Sequence, residues 1–197
     1  MNLIRKYFPD LSAQMYRQLD DFQDLIREWN EKINLISRKD VQFLTERHIL
    51  HSLSIAKVFP FPEQSRILDV GTGGGFPGIP LAILYPESRF KLIDSIGKKI
   101  NVVNSICSEL KLDNVNTSNT RIENYFEEYD FVVARAVTNL PRFHSWVRKN
   151  YLKGLIYLKG GDLEKETGPL PSARIINISD LFEEEFFETK KIVYIPK

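Results

Sequence analysis

The sequence predicts an α/β fold, an open and mostly parallel sheet of the doubly wound, Rossmann-like kind, with a C-terminal antiparallel hairpin and an N-terminal helical extension. Three observations carry this. From Arg66 onward, short apolar runs alternate with helical patterns, as βα units joined by right-handed crossovers do. A glycine-rich loop, Asp69-Val70-Gly71-Thr72-Gly73-Gly74-Gly75-Phe76-Pro77-Gly78, joins the first such run to the first of these helices. The last two apolar runs have no helix between them, so they should return as antiparallel neighbours. We expect residues 1–62 to form the extension and 63–197 the sheet-bearing core, the two making one structural unit.

Each element has its own signal. Leu11, Met15, Leu19, Phe22, Ile26, Trp29 and Ile33 recur at spacings of three and four, which places them on one face of a long helix over 10–34. A second helical pattern covers 41–59, and Pro60-Phe61-Pro62 breaks it. Strands are expected at 67–69, 90–94, 115–117 (weak), 131–134 and 155–158, with helices at 79–84, 96–112 and 140–150. Strands at 174–178 and 192–195 close the chain, joined by the acidic, aromatic segment 180–190. The run Glu183-Glu184-Glu185 within it reads as a solvated loop.

Composition sets bounds. With 197 residues, 43% hydrophobic and 12% aromatic, the chain buries one substantial core plus an appendage. A net charge of +1 gives no global field for polyanions, so a nucleic-acid surface must come from local clustering. The single cysteine, Cys107, excludes an intrachain disulfide. No signal-like segment and no run long enough to span a bilayer occurs, so a cytoplasmic protein with no membrane partner and no stable protein partner is expected.

The loop narrows the cofactor. Gly73-x-Gly75-x-x-Gly78 satisfies a dinucleotide fingerprint, but Asp69 closes the strand just before Gly71. An acid there would repel a pyrophosphate. S-adenosylmethionine (SAM) carries an ammonium and a sulfonium instead, and both suit a neighbouring carboxylate. Asp94 ends the next apolar run, about the twenty residues downstream expected of an acid that grips ribose hydroxyls. SAM is therefore favoured over NAD.

The acceptor is narrowed by subtraction. Exocyclic amines call for an Asn or Asp followed by Pro-Pro-aromatic after the fourth strand, where this chain reads Val133-Ala134-Arg135-Ala136-Val137. Carbon methylation calls for a cysteine nucleophile, yet Cys107 falls on the apolar side of a helix with Val103 and Leu110, a core position. What remains is a nucleophile whose lone pair is already available, such as a purine ring nitrogen, or a hydroxyl with an unseen base. The stretch 131–161 holds Arg135, Arg142, Arg148, Lys149, Lys153 and Lys159 with no acid, interleaved with Phe143, His144, Trp146, Tyr151 and Tyr157. Such interleaving suits phosphate contacts and base stacking. Trp146 and Tyr157 read as core; Arg135 and Lys159, at strand ends, read as site residues.

The chain resembles the bacterial small-subunit ribosomal RNA guanine-N7 methyltransferases called RsmG or GidB. The matching residues are Trp29-Asn30, Asn34-Leu35, Arg47-His48-Ile49-Leu50, the loop from Asp69 through Pro80, Asp94-Ser95 with Gly97-Lys98, Arg121-Ile122-Glu123, Arg135-Ala136 and Leu158-Lys159-Gly160. They run in order along nearly the whole chain. His51 departs from the family, which usually has Asp there, and Gly74 is often Pro. The resemblance implies a SAM-dependent methyltransferase sheet and a guanine of 16S ribosomal RNA, free or in the small subunit, as substrate. It implies SAM contacts at Gly71 and Phe76, a ribose acid at Asp94, adenine-side contacts at Ile122 and Glu123, and Arg135 at the site. The expected cofactor set is thus Asp69, Gly71, Gly73, Gly75, Phe76, Asp94, Ile122, Glu123 and Arg135, with Arg135 positioning and no acid–base catalyst. The expected RNA set is Arg47, His48, Arg142, Arg148, Lys149 and Lys159. His48 and His51 lack a third ligand nearby in sequence, so no metal is expected. An NAD-linked oxidoreductase and a non-catalytic RNA-binding or assembly factor with a vestigial loop are the alternatives.

Overall fold

Among the described residues, seven strands form one sheet in the order β3-β2-β1-β4-β5-β7-β6. The structure, a computed structural model, describes residues 2–170 and 172–197. The strands are β1 (Arg66–Val70), β2 (Arg89–Asp94), β3 (Val115–Asn119), β4 (Tyr129–Arg135), β5 (Tyr151–Gly160), β6 (Arg174–Asn177) and β7 (Lys190–Pro196). Strands β1 to β5 are parallel, and β7 is antiparallel to both β5 and β6. The closing hairpin thus inserts its second strand against β5, pairing Leu155 with Ile195 and Leu158 with Ile192.

Side chains alternate between two apolar layers, as a sheet covered on both faces requires. Ile67, Phe90, Leu92, Val133, Ile156 and Leu158 enter one layer; Leu68, Val70, Ile93, Val132, Ala134 and Leu155 enter the other. The first layer is covered by α1 (Asn2–Tyr7), α2 (Ala13–Lys32), α3 (His51–Val58), α4 (Gly78–Leu84) and α5 (Gly97–Glu109). The second is covered by α6 (Leu140–Val147), with the short α7 (Glu164–Thr167) beside it. Helix α2 starts where the Ser12 hydroxyl accepts the Met15 N–H at 3.2 Å, and its stripe of Leu19, Phe22 and Ile26 is fully buried. Those residues share a layer with Phe76 and Ile79, so the extension packs directly beneath the glycine loop.

The helix expected over 140–150 ends at Val147 and the strand expected at 155–158 starts at Tyr151; three larger departures have local reasons. Residues 41–59 are not one regular helix: Arg38–Phe43 is a 3₁₀ turn, Thr45–Leu50 a π turn, and only His51–Val58 is α-helical. Helix α5 stops short of 112 because Lys111 adopts a left-handed φ of 54°. Its N–H then reaches the Ser108 carbonyl while that of Leu112 reaches Cys107, a Schellman ending without the usual glycine. The acidic run is not simply solvated. Lys6 pairs with Glu183 at 2.6 Å, and the Tyr7 hydroxyl meets the Glu184 carboxylate at 2.9 Å, pinning the unanticipated α1 to the segment before β7. Among the described residues, no helix is long and apolar enough to cross a membrane.

Candidate active site

The glycine loop leaves β1 with Gly71, Gly73 and Gly75 at φ of 71°, 59° and 94°, in the left-handed region that favours glycine. A Cβ at Gly71 would also stand 2.9 Å from Val137 Cγ2, so a side chain there would close the cleft between the loop and the end of β4. Two carboxylates fix the loop. Asp69 is fully buried beneath it, and its Oδ2 accepts the Thr72 hydroxyl at 2.7 Å and the Gly78 N–H at 2.9 Å. Its Oδ1 has no hydrogen-bond partner among the described residues. Burial pushes the Asp69 carboxyl up to about 7, against the pull of those two bonds and of the Arg135 charge. Asp94, at the end of β2, accepts the Gly73 N–H on one oxygen and the Ile96 N–H on the other, both at 2.9 Å.

A cavity of about 270 Å³ opens at the carboxyl ends of β1, β2 and β4, where ligands bind in open α/β sheets. Gly71, Asp94, Ile122, Glu123 and Arg135 line it, together with Arg121, Ala136, Val137 and Trp146. Asp69, Gly73, Gly75 and Phe76 do not. Asp69, expected to face the charges of a cofactor, lies under the loop because its hydrogen bonds are all to the loop itself. Phe76 is 2% exposed. It is wedged between the rings of Phe22 and His48, each 5.2 Å away, under the guanidinium of Arg135 at 4.7 Å.

Arg135 ends β4 half-buried, and the chain then turns sharply through Ala136, at a φ of 52° that L-residues seldom adopt. Arg135 Nη2 meets His48 Nδ1 at 2.9 Å, and Nη1 donates to the Arg47 carbonyl at 3.5 Å. Burial draws its pKa down to about 10, so it stays cationic at neutral pH. Burial, then the Arg135 charge, lowers His48 to about 3. His48 is neutral. Val137, in the cavity wall, and Thr138 after it donate their N–H groups to the Tyr157 hydroxyl at 2.8 and 2.9 Å. That hydroxyl donates in turn to the Thr138 carbonyl, and its ring stacks on Phe143 at 4.7 Å. Tyr157 is therefore core, as expected, but Trp146 is half-buried in the cavity wall.

The expected RNA-binding residues divide. Arg142, Arg148 and Lys149 are exposed on α6 and the turn after it, with Arg142 over the Trp146 ring at 5.0 Å. Lys159 is turned inward: its ammonium lies 2.6 and 2.8 Å from the Glu166 carboxylate oxygens and 3.2 Å from the Thr138 carbonyl. Glu166 also accepts the Leu140 N–H at 2.6 Å, at the start of α6. Arg47 pairs with Asp40 at 2.8 Å and lies over Phe43 at 3.8 Å. Lys159, Arg47 and His48 thus hold the cleft together and present no free cation to a ligand. His51 is turned elsewhere, edge-on to Phe186 and Phe187, so the two histidines do not converge. Burial pushes the Cys107 thiol up to about 12, which leaves it inert as a nucleophile. Sequence reasoning missed Tyr157 and Glu166 as supports of this site; one sits in β5 and the other in the short α7, and their partners are fixed only by the tertiary fold.

The family model for rRNA small subunit methyltransferase G (GidB) matches residues 15–190. The chain belongs to this family. A ribosomal RNA small subunit methyltransferase G from Flavobacterium johnsoniae is 52% identical over 204 residues, covering all of this chain and 98% of its own. Another, from Bacteroides thetaiotaomicron, is 49% identical over 203 residues, covering 98% of each. The fold is shared more widely. A SAM-dependent methyltransferase from Aquifex aeolicus superposes with a TM-score of 0.60 at 16% identity, over 82% of this chain and 98% of that one. A SAM-dependent O-methyltransferase from Thermotoga maritima gives 0.61 at 13% identity, over 80% and 69%. This member of the methyltransferase G family is an enzyme, a SAM-dependent methyltransferase of ribosomal RNA.

Proposed function

We propose that this enzyme methylates N7 of a guanine in the 16S ribosomal RNA of the small subunit, in the cytoplasm. The observation that carries the choice of atom is the end of β4. The wall there consists of Arg135, Ala136 and Val137, which hold neither a thiol nor an amine-activating Pro-Pro-aromatic turn. Of the acids in the wall, Asp94 already receives two backbone N–H groups. Guanine N7 needs no base, because its lone pair lies in the ring plane and attacks without first losing a proton.

The residues present fit SAM. The wall carries the Asp94 carboxylate at the end of β2, placed for ribose hydroxyls, and the close approach at Gly71 leaves room for a ligand only while no Cβ is there. Asp94 would take the ribose hydroxyls on its remaining lone pairs, Ile122 and Glu123 the adenine side, and the Gly71 turn the rest. Asp69 serves as the loop's anchor. When bound, SAM supplies an electrophilic methyl on a sulfonium. Catalysis by the chain is then positional: the loop and β4 hold cofactor and base in near-attack geometry, and Arg135 supplies a fixed cation beside them. The RNA is supported by Arg142, Arg148 and Lys149. A second cavity of about 540 Å³ shares Ile122, Glu123 and Trp146 with the first and continues past Phe126, Lys149 and Lys197, which offers a path for flanking nucleotides.

Methylation at N7 makes RNA cleavable by borohydride followed by aniline. We expect enzyme, SAM and 16S RNA or small subunits to give one new cleavage, at a rate that varies little with pH across the neutral range. Uptake of labelled methyl without cleavage would place the methyl on another atom.

A further inference from the structure

The N-terminal extension reaches the end of β4 through the π turn Thr45–Leu50. A π turn is a wider coil than an α-helix and is found often at functional sites. Here it brings two groups to one guanidinium: the Arg47 carbonyl at 3.5 Å and the His48 ring nitrogen Nδ1 at 2.9 Å, both from Arg135. The Phe76 ring supports the guanidinium from its face at 4.7 Å and lies 5.2 Å from the His48 ring. On the assignment of the adjoining cavity to methyl transfer, we propose that His48 is a positioning residue, whose neutral imidazole accepts a hydrogen bond from Arg135 and aims the rest of the guanidinium into the cleft.

Arginine has five N–H donors in a fixed fork and no acceptor. His48 and the Arg47 carbonyl occupy one on each terminal nitrogen, leaving three for the cleft. The bond requires Nδ1 to be unprotonated, so His48 carries its proton on Nε2. Burial first, then the Arg135 charge, keeps the ring neutral, with Asp40 opposing and Arg47 adding to the effect, and Phe76 packs beside it. An uncharged acceptor matters for function. A carboxylate at this place would orient Arg135 equally well, yet would neutralise it; an imidazole orients the cation and leaves its charge for an anionic ligand, the RNA phosphate or the cofactor carboxylate. The bond also limits rotamer freedom, since a long arginine side chain unsupported at a strand end samples many conformers.

The test uses the full chain with SAM and small-subunit RNA, comparing His48→Asn, His48→Glu, His48→Leu, Arg135→Ala and the His48→Leu/Arg135→Ala double variant. The Asn side chain places an uncharged oxygen near Nδ1, so activity should stay within about threefold of the parent. His48→Leu and His48→Glu should lower kcat/KM about ten- to a hundredfold, the first by freeing Arg135 and the second by neutralising it. In the Arg135→Ala background, His48→Leu should cost nothing more, because a residue that acts through its partner has no effect once the partner is gone. Nitrogen NMR of the parent should show His48 with Nδ1 bare and Nε2 protonated from pH 5 to 8. Three results would overturn the proposal: a fully active His48→Leu variant, an equal cost of His48→Leu in both backgrounds, or a protonated Nδ1. Should His48→Leu fail to fold, the polar pair decides alone, since His48→Asn and His48→Glu must then differ by about tenfold or more. A parent enzyme that moved no methyl to RNA would instead count against the assignment of the cavity, while the NMR measurement would still judge the bond.

Discussion

Asp69→Asn isolates the cost of burying an acid beneath the glycine loop. Burial moves the Asp69 carboxyl from 3.8 to about 7, which is worth about 4 kcal/mol at about 1.36 kcal/mol for each pH unit. The substitution is conservative because Oδ2 alone receives both loop hydrogen bonds, from Thr72 and Gly78. An amide oxygen there keeps both. The sign follows from the folded pKa lying above the unfolded one. Below about pH 4 both states hold the proton and the contribution to stability is whole; above it the unfolded chain ionises first, and stability is lost until the folded pKa near 7 is passed. Between about pH 5 and pH 8 the parent should therefore lose about 3 kcal/mol through this group, because over the roughly two pH units from 5 to 7 only the unfolded chain is ionised. The variant, which does not titrate there, loses none of this. Urea denaturation of both proteins at the two pH values should show the variant gaining about 3 kcal/mol on the parent as pH rises. An unchanged gap would mean that Asp69 is ionised throughout, balanced by Arg135 and the loop, and the burial argument would fall.

Three further outcomes are expected. Asp94→Ala removes the acceptor for Gly73 and Ile96 and the proposed ribose bonds, each about 1.5 to 3 kcal/mol to a charged group; SAM affinity by calorimetry should fall at least about tenfold, and an unchanged value would place the ribose elsewhere. Neutralising Arg142, Arg148 and Lys149 should lower the salt slope of RNA binding by about 0.7 to 0.9 for each phosphate left without its cation, whereas an unaltered slope would make α6 a merely solvated face. Tyr157→Phe leaves the N–H groups of Val137 and Thr138 without their acceptor, so stability should drop by about 2 kcal/mol or more with a slower methyl transfer; equal urea midpoints would show that the wall needs no pin.

The sheet was legible because its signals are local. Alternation of apolar runs with helical periods located β1, β2 and β4, and the missing helix between the last two runs announced their antiparallel return. Boundaries were less legible where an unusual residue did a familiar task. Lys111 ends α5 in a conformation that glycine ordinarily supplies, so nothing in 110–113 marks the stop. The π turn at Thr45–Leu50 was invisible for a different reason. Ile49 and Leu50 simply continue the apolar pattern of 41–59, and the turn shows its role only in the fold, where Arg47 and His48 meet the end of β4.

The cations show what a linear reading of charge leaves out. Residues 131–161 contain six basic side chains and no acid, and by composition all six are equivalent. In the fold they are not. Lys159 meets Glu166, seven residues on and just outside that stretch, and the pair caps the start of α6; Lys153 meets Asp130, one residue before it, at 2.8 Å. Arg135 is held by the extension through one N–H on each terminal nitrogen and lines the cavity. What α6 and its following turn keep exposed is Arg142, Arg148 and Lys149, beside the Trp146 that walls both cavities. The partition has a physical logic. Cations at strand ends lie where chain segments converge and find acceptors within the fold, while those on the outer face of a helix stay exposed, and a polyanion whose phosphates they neutralise releases its condensed counterions. The surface proposed for RNA is therefore set by which charges the fold leaves to solvent, and the cleft beside it by the charges the fold has already fixed.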